Sequence, residues 1–252
     1  MTEGALHLGL VLGVIAAALV VASALTRVNA PYGRFGGDGG GATIPDRLAW
    51  LIMESPAWLG FAAVYGVGRN AFEAAPLALA AIWLTHYLFR GLVYPLRGRA
   101  GGHPMPAAIV VGGFGFNAVN AYLIARWVSH LGDYPASWLT GPRFLGGTAL
   151  FFAGMAVNRR ADAILAGLRA HGESGYRIPR GWLYDRVASP NYLGEIVQWA
   201  GFAVATWSPA GAAFAIFTAA NLIPRAFANR RWYREHFPDH ATDRKALIPY
   251  LW

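Results

Sequence analysis

Apolar residues fall along the chain in seven runs: Leu6–Leu25, Leu48–Val67, Ala74–Val93, Met105–Ala125, Phe144–Val157, Asn191–Trp207 and Pro209–Pro224. Each is about long enough for a helix to cross a hydrocarbon core, which takes roughly 20 residues. The segments between them are rich in Gly, Pro and Arg. The pattern therefore predicts an all-α, polytopic integral membrane protein with seven transmembrane helices. The first run has no basic flank before it and exceeds the roughly 7–15 apolar residues of a secretory signal core, which predicts a retained first helix.

Composition agrees with that picture. Of 252 residues, 56% are hydrophobic and only 13% charged, against roughly a quarter charged in a soluble domain. The chain has no cysteine, which excludes disulfides, thiolate-held zinc, iron–sulfur clusters and cysteine nucleophiles. Any redox chemistry must come from a diffusible cofactor. The predicted architecture is a single domain, 1–252, whose segments 27–47, 94–104, 158–190 and 225–252 emerge on one side.

Charge fixes which side that is. An odd number of crossings separates the termini, and among the 21 Lys and Arg residues only Arg69, Arg126 and Arg143 fall on the side opposite the C-terminus. So large an asymmetry predicts a cytosolic C-terminus. Anionic lipid headgroups could account for part of this charge. In the tail, aromatic and hydrogen-bonding residues are interleaved with the arginines, which suggests a pocket for a polyanion. Nucleic acid is a poor candidate despite a net charge of +8, since the pattern shows no soluble domain to carry a groove-binding element.

Ionisable groups in membrane helices are costly and usually face a cavity or one another. Glu54 lies one turn after Trp50 and is the sole acid of its run. Tyr87, Arg90 and Tyr94 stand at i, i+3 and i+7, a single helical face. Asn191, Glu195 and Gln198 repeat that spacing, and Arg225, Asn229 and Tyr233 stand at i, i+4 and i+8. Asn158, Asp162 and Arg169 form a fifth stripe where the fifth run leaves the bilayer. Each stripe alone could serve interhelical hydrogen bonding. Together they point to one polar cavity open to the cytosol.

Two segments, Gly37-Asp38-Gly39-Gly40-Gly41-Ala42 and Gly66-Val67-Gly68-Arg69-Asn70-Ala71, satisfy a relaxed dinucleotide fingerprint. Neither follows a strand in a βαβ unit, so neither carries that meaning. The first reads as a loop, with a lid as one option, and the second as a short connection. There is no His-x-x-x-His, serine-nucleophile elbow or glycosidase-type carboxylate pair, and no metal site is expected. His86, beside Tyr87, reads as a packing or hydrogen-bonding residue.

Several motifs have a recognisable order. They are Pro31-Tyr32-Gly33-Arg34, Ala49-Trp50-Leu51-Ile52-Met53-Glu54-Ser55-Pro56, His86-Tyr87-Leu88-Phe89-Arg90, Gly175-Tyr176-Arg177-Ile178-Pro179, Ser189-Pro190-Asn191-Tyr192-Leu193-Gly194-Glu195, Ala205-Thr206-Trp207-Ser208 and Arg244-Lys245-Ala246-Leu247-Ile248-Pro249-Tyr250. In this order the chain resembles the steroid 5-alpha-reductase (3-oxo-5-alpha-steroid 4-dehydrogenase) family over nearly its whole length. The resemblance implies a seven-helix membrane reductase that uses NADPH to saturate the 4,5 double bond of a 3-oxo-4-ene steroid. It implies that Glu54 and Tyr87 engage the substrate ketone, with Trp50 and Met53 beside them. It assigns Asn158, Asp162, Arg169, Tyr176, Arg177, Asn191, Glu195, Tyr233 and Arg244 to the cofactor, and Arg34, Arg90, Tyr94, Arg99, Arg225 and Asn229 are grouped with them.

The chemistry accounts for these residue types. Hydride added to the beta carbon of an enone drives negative charge onto the carbonyl oxygen, which two hydrogen-bond donors would stabilise. Tyr87 donates at any ordinary pH, and Glu54 donates only while protonated. The proton added at the alpha carbon comes from Tyr87 or from water. Arginine forks suit pyrophosphate and a 2′-phosphate. Compared with the mammalian pattern, Met53 stands where a glutamine is usual and Asn229 where a histidine is, and the stretch Gly36–Gly41 also differs. These departures bear on which steroid is preferred.

The competing readings are a reductase of another conjugated lipid (an enoyl-CoA, a polyprenol or a sterol), a lipid-binding or transport protein, and a membrane carboxyl methyltransferase. No internal repeat of the transporter kind is found. The partners expected are a hydrophobic enone and membrane lipid, with no obligate protein partner evident. The Ala, Gly and Arg bias predicts a bacterial inner membrane, whereas eukaryotic relatives of the family reside in the endoplasmic reticulum.

Overall fold

The computed structural model describes residues 2–28, 35, 41–96, 104–169, 177–238 and 243–251. Arg34, Arg99, Tyr176, the side chain of Arg169 and residues 36–40 of the glycine-rich stretch lie outside those described residues. Every apolar run is helical: α1 (Glu3–Arg27), α2 (Asp46–Gly66), α3 (Ala74–Leu96), α4 (Ala107–Leu131), α5 (Pro142–Arg169), α6 (Pro190–Thr206) and α7 (Pro209–His236). Besides an isolated parallel bridge between Val187 and Lys245, the described residues hold a two-residue antiparallel ladder, Thr43 with Pro106 and Ile44 with Met105. The ladder ties the segment before α2 to the start of α4.

Five of these helices, α1 to α4 and α7, are long and apolar enough to cross a membrane. The other two are not, and the reason lies in how they pack. A Cβ placed on Gly147 would strike the α6 backbone at Gly201 and Ala205, and one on Gly154 would strike Gly194 and Gln198. Seven-residue spacing puts both glycines of each helix on one face. The pairing of Gly147 with Gly201 and of Gly154 with Gly194 makes the helices antiparallel. Small residues let two backbones approach closely without hydrophobic bulk. They also lower the hydropathy of α5, while α6 has only 17 residues.

Local chemistry explains the helix ends. The Ser208 hydroxyl accepts from the Gly211 amide at 2.9 Å, and Pro209 occupies the first turn, where its missing N–H costs nothing. Trp207, at φ 44°, closes α6 in the left-handed region. That turn folds α7 back along α6.

The register between α2 and α3 has one main determinant. Pro56 opens a widened turn, Pro56–Gly60, in which the Phe61 amide donates to the Pro56 carbonyl. The Ala57 carbonyl is thereby freed, and the buried Trp83 indole donates to it at 2.7 Å. One turn along on each antiparallel helix stand Glu54 and Tyr87. A second widened turn, Phe89–Val93, follows Tyr87. Gly91 within it has no room for a Cβ, which would sit 2.9 Å from Trp58 and 3.3 Å from the Glu54 Cβ. The core surrounds this junction, with Trp83 packed on Trp199, Phe202 and Phe214 at centroid distances of 5.4 to 5.6 Å.

At the opposite end, Arg126 of α4 grips Glu3 of α1 through Nε at 2.6 Å and Nη2 at 2.8 Å. The C-terminal segment is pinned in turn: the Ala188 amide donates to the Lys245 carbonyl at 2.8 Å, and the Lys245 amide to Arg186 at 2.9 Å.

Candidate functional site

All seven helices contribute to one cavity of about 570 Å³. From α2 come Trp50, Met53 and Glu54, and from α3 His86, Tyr87, Arg90 and Tyr94. The α5 and α6 seam supplies Asn158, Asp162, Asn191 and Glu195, and α7 supplies Arg225, Asn229 and Tyr233. All five polar stripes found in the sequence thus contribute to the same space. Phe116 of α4 and Phe217 of α7 stack at 4.0 Å on its apolar side, next to Gly112, Gly113 and Ile109. A Cβ on Gly112 would meet nothing within 4 Å.

Glu54 is buried. Its Oε1 faces the Arg90 Nε at 3.5 Å, and its Oε2 accepts from the Asn117 Nδ2 at 3.3 Å. The same Nδ2 donates to the Met53 carbonyl at 2.8 Å. Arg90 lies 4.8 Å over the Trp50 ring, and Tyr94 meets that ring edge-on at 5.9 Å. The carboxyl is therefore held from two sides. A protonated carboxyl keeps acceptor capacity beside its single O–H, so these contacts permit donation toward a ligand.

The Tyr87 ring packs between Trp83 at 4.5 Å and Trp199 at 5.6 Å. Its hydroxyl has no hydrogen-bond partner among the described residues. Its ring is fixed by the core, while its polar end is available to the cavity.

The polar wall follows from the glycine seam. One turn beyond Gly154, the Asn158 amide donates to the Asn191 carbonyl at 3.0 Å, and the Asn191 side chain donates to Asp162 at 3.2 Å. Arg225 lies over the Tyr192 ring at 5.4 Å, and Asn229 donates to the Ser189 hydroxyl at 3.1 Å. Amides, a guanidinium and carboxylates alternate along this wall. Such a mixture suits a ligand carrying both phosphates and sugar hydroxyls.

Two residues expected here are placed elsewhere. Arg244 is buried away from the cavity lining, donating to the Pro179 carbonyl at 2.8 Å, while its own carbonyl accepts from Arg230 at 2.7 Å. Burial pulls its pKa below the ordinary guanidinium value. It anchors the tail to the segment before α6. Arg177 is exposed and does not line the cavity. Conversely, Asn117 was missed. Accompanied only by Asn120 at i+3 in an apolar run, Asn117 forms no stripe with an ionisable group, and only its buried position beside Glu54 marks it. Among the described residues no cluster of His, Asp and Glu could hold a metal ion.

A family model described as 3-oxo-5-alpha-steroid 4-dehydrogenase matches residues 103–252. The steroid 5-alpha-reductase DET2 of Gossypium hirsutum is 46% identical over 233 residues, covering 89% of this chain and 89% of that protein. The 3-oxo-5-alpha-steroid 4-dehydrogenase 1 of Bos taurus is 42% identical over 231 residues, 90% of each chain. Its Homo sapiens counterpart is 39% identical over 232 residues, covering 89% of this chain and 87% of the human one.

Proposed function

The chain belongs to the steroid 5-alpha-reductase (3-oxo-5-alpha-steroid 4-dehydrogenase) family of oxidoreductases, and on that premise we propose that it reduces the 4,5 double bond of a 3-oxo-4-ene steroid to the 5-alpha product with NADPH. The observation that carries this reading is the meeting of Glu54 and Tyr87 with the Asn158, Asp162, Asn191 and Glu195 wall in one cavity. One end of that cavity has donors for a ketone beside apolar aromatic rings. The other has groups for a dinucleotide.

NADPH, when bound, supplies the hydride for the beta carbon. The protein's part is placement and charge. Tyr87 and a protonated Glu54 donate to the ketone oxygen as negative charge builds there, which lowers the barrier most if both are fixed beforehand. Trp83 and Trp199 fix the Tyr87 ring, and Arg90 and Asn117 fix the carboxyl. Tyr87 or water then supplies the proton for the alpha carbon. Arg90, Tyr94, Arg225, Asn229 and Tyr233 extend the dinucleotide wall. Arg34, Arg99, Arg169 and Tyr176 join this assignment on family resemblance.

The proposed setting is a single seven-span domain, 1–252, with its C-terminus and cofactor side in the cytosol. The basic asymmetry of the connecting segments supports that orientation. The bilayer supplies the steroid to the apolar side.

The test is incubation of detergent-purified protein with a 3-oxo-4-ene steroid and either NADPH or NADH, with products identified by mass spectrometry against 5-alpha and 5-beta standards. A 5-alpha product with NADPH supports the reading. No product despite NADPH binding rejects this substrate class, and absence of both rejects the reductase assignment.

A further inference from the structure

His86 lies one residue before Tyr87, which turns it about 100° around α3 toward α6. There the buried Gln198 meets it, Nε2 to Nδ1, at 2.7 Å. Gln198 belongs to the same α6 stripe as Asn191 and Glu195. The histidine ring is clamped edge-on between Trp199 at 4.8 Å and Tyr87 at 4.9 Å. It is 6% exposed, and what remains uncovered lines the cavity.

The hydrogen-bond chemistry of this pair has one consequence. With the Gln198 amide oriented as it is here, its Nε2 donates and His86 Nδ1 accepts, and a ring accepting at Nδ1 carries its proton on Nε2. Nε2 has no partner among the described residues and is not among the sealed, unpartnered buried atoms. A fixed N–H donor thus stands at the cavity wall. It sits where the ketone-facing stripe of α3 meets the dinucleotide-facing stripe of α6.

Resting on the proposed NADPH reading, we infer that the His86 Nε2–H is a binding group for the carboxamide carbonyl of the nicotinamide, with Gln198 as the residue that sets its tautomer. The steroid ketone already has Glu54 and Tyr87. The remaining carbonyl that must lie within reach of the reacting carbons is the nicotinamide amide, and a neutral donor suits a neutral acceptor. Holding that amide would orient the ring face beside Tyr87, and placement of this kind is a large part of what a cofactor enzyme contributes.

The experiment compares two probes on the purified protein: NADP+, which carries the nicotinamide, and adenosine 2′,5′-bisphosphate, which lacks it. His86→Leu should raise the Kd for NADP+ about five- to tenfold, the loss expected from one neutral hydrogen bond. It should leave the bisphosphate Kd unchanged. His86→Gln, which can still donate, should restore most NADP+ affinity, and Gln198→Leu should give an intermediate loss for NADP+ alone. Equal loss for both probes would mean a collapsed pocket, and no loss for either would mean no contact; both overturn the inference. Wild-type protein that binds neither probe would instead reject the dinucleotide reading.

Discussion

Asn117 and Glu54 are joined across α4 and α2 by a hydrogen bond of 3.3 Å, and the same amide nitrogen holds the Met53 carbonyl at 2.8 Å. One side chain therefore fixes both the backbone and the carboxyl of the proposed ketone-binding group. Asn117→Leu keeps the branched shape and removes both bonds. It should cost about 1–2 kcal/mol of transition-state placement, a fall of roughly tenfold in turnover. NADPH affinity should stay within twofold. Single-turnover rates at saturating NADPH read this directly, and an unchanged rate would show that Arg90 alone holds Glu54.

Tyr87→Phe removes a hydroxyl that makes no hydrogen bond among the described residues and leaves its ring packing intact. Stability should barely change. Turnover should fall on the order of 10²–10³, the range measured for loss of one oxyanion donor. Glu54→Gln preserves shape but removes the acid proton, and should show a loss of similar size. A fully active Tyr87→Phe variant would overturn the ketone-polarising pair.

Much of this site is legible in the sequence because helical spacing is legible. Tyr87, Arg90 and Tyr94 share a face whatever else the chain does, and so do Asn191 and Glu195; the cavity collects both sets. Partners on other helices are not legible. Nothing local to His86 indicates Gln198, 112 residues away, and nothing local to Asn117 indicates Glu54. Arg244 shows the converse. Its type and motif fit a phosphate, yet its guanidinium is bonded to the Pro179 carbonyl. A membrane span is legible as apolar length, which the seam glycines dilute in α5 and of which α6, at 17 residues, has too little.

Adjacent glycines of α5 should behave oppositely. A Cβ at Gly147 would lie 2.6 Å from the Gly201 carbonyl oxygen, whereas one at Gly146 meets nothing within 4 Å. Gly147→Ala should destabilise by about 3 kcal/mol, because backbone on both sides must move. It should also weaken NADPH binding by parting the Asn158 and Asn191 contact. Gly146→Ala should be neutral or stabilising by up to about 1 kcal/mol, from helix propensity. Intrinsic tryptophan fluorescence during heating, with and without NADPH, distinguishes the two.

Met53 lies between Gly113 of the apolar wall and the position proposed for the steroid. Its Cγ and Sδ would lie 2.5 Å from a Cβ on Gly113, so Gly113→Ala must push the thioether into the cavity beside Glu54. The expected result is a several-fold rise in steroid KM with NADPH affinity unchanged. Gly115→Ala, two positions later and outside the cavity lining, adds a methyl group where nothing lies within 4 Å and should alter KM little. The decisive variant is the double substitution of Met53→Ala with Gly113→Ala. If the displaced thioether is what obstructs the steroid, its removal should return KM toward the value of Met53→Ala alone, giving a coupling energy between neighbouring positions. Additive effects would instead mean that Gly113 acts through the α4 backbone, and Met53 would then lose its place among the substrate-facing residues.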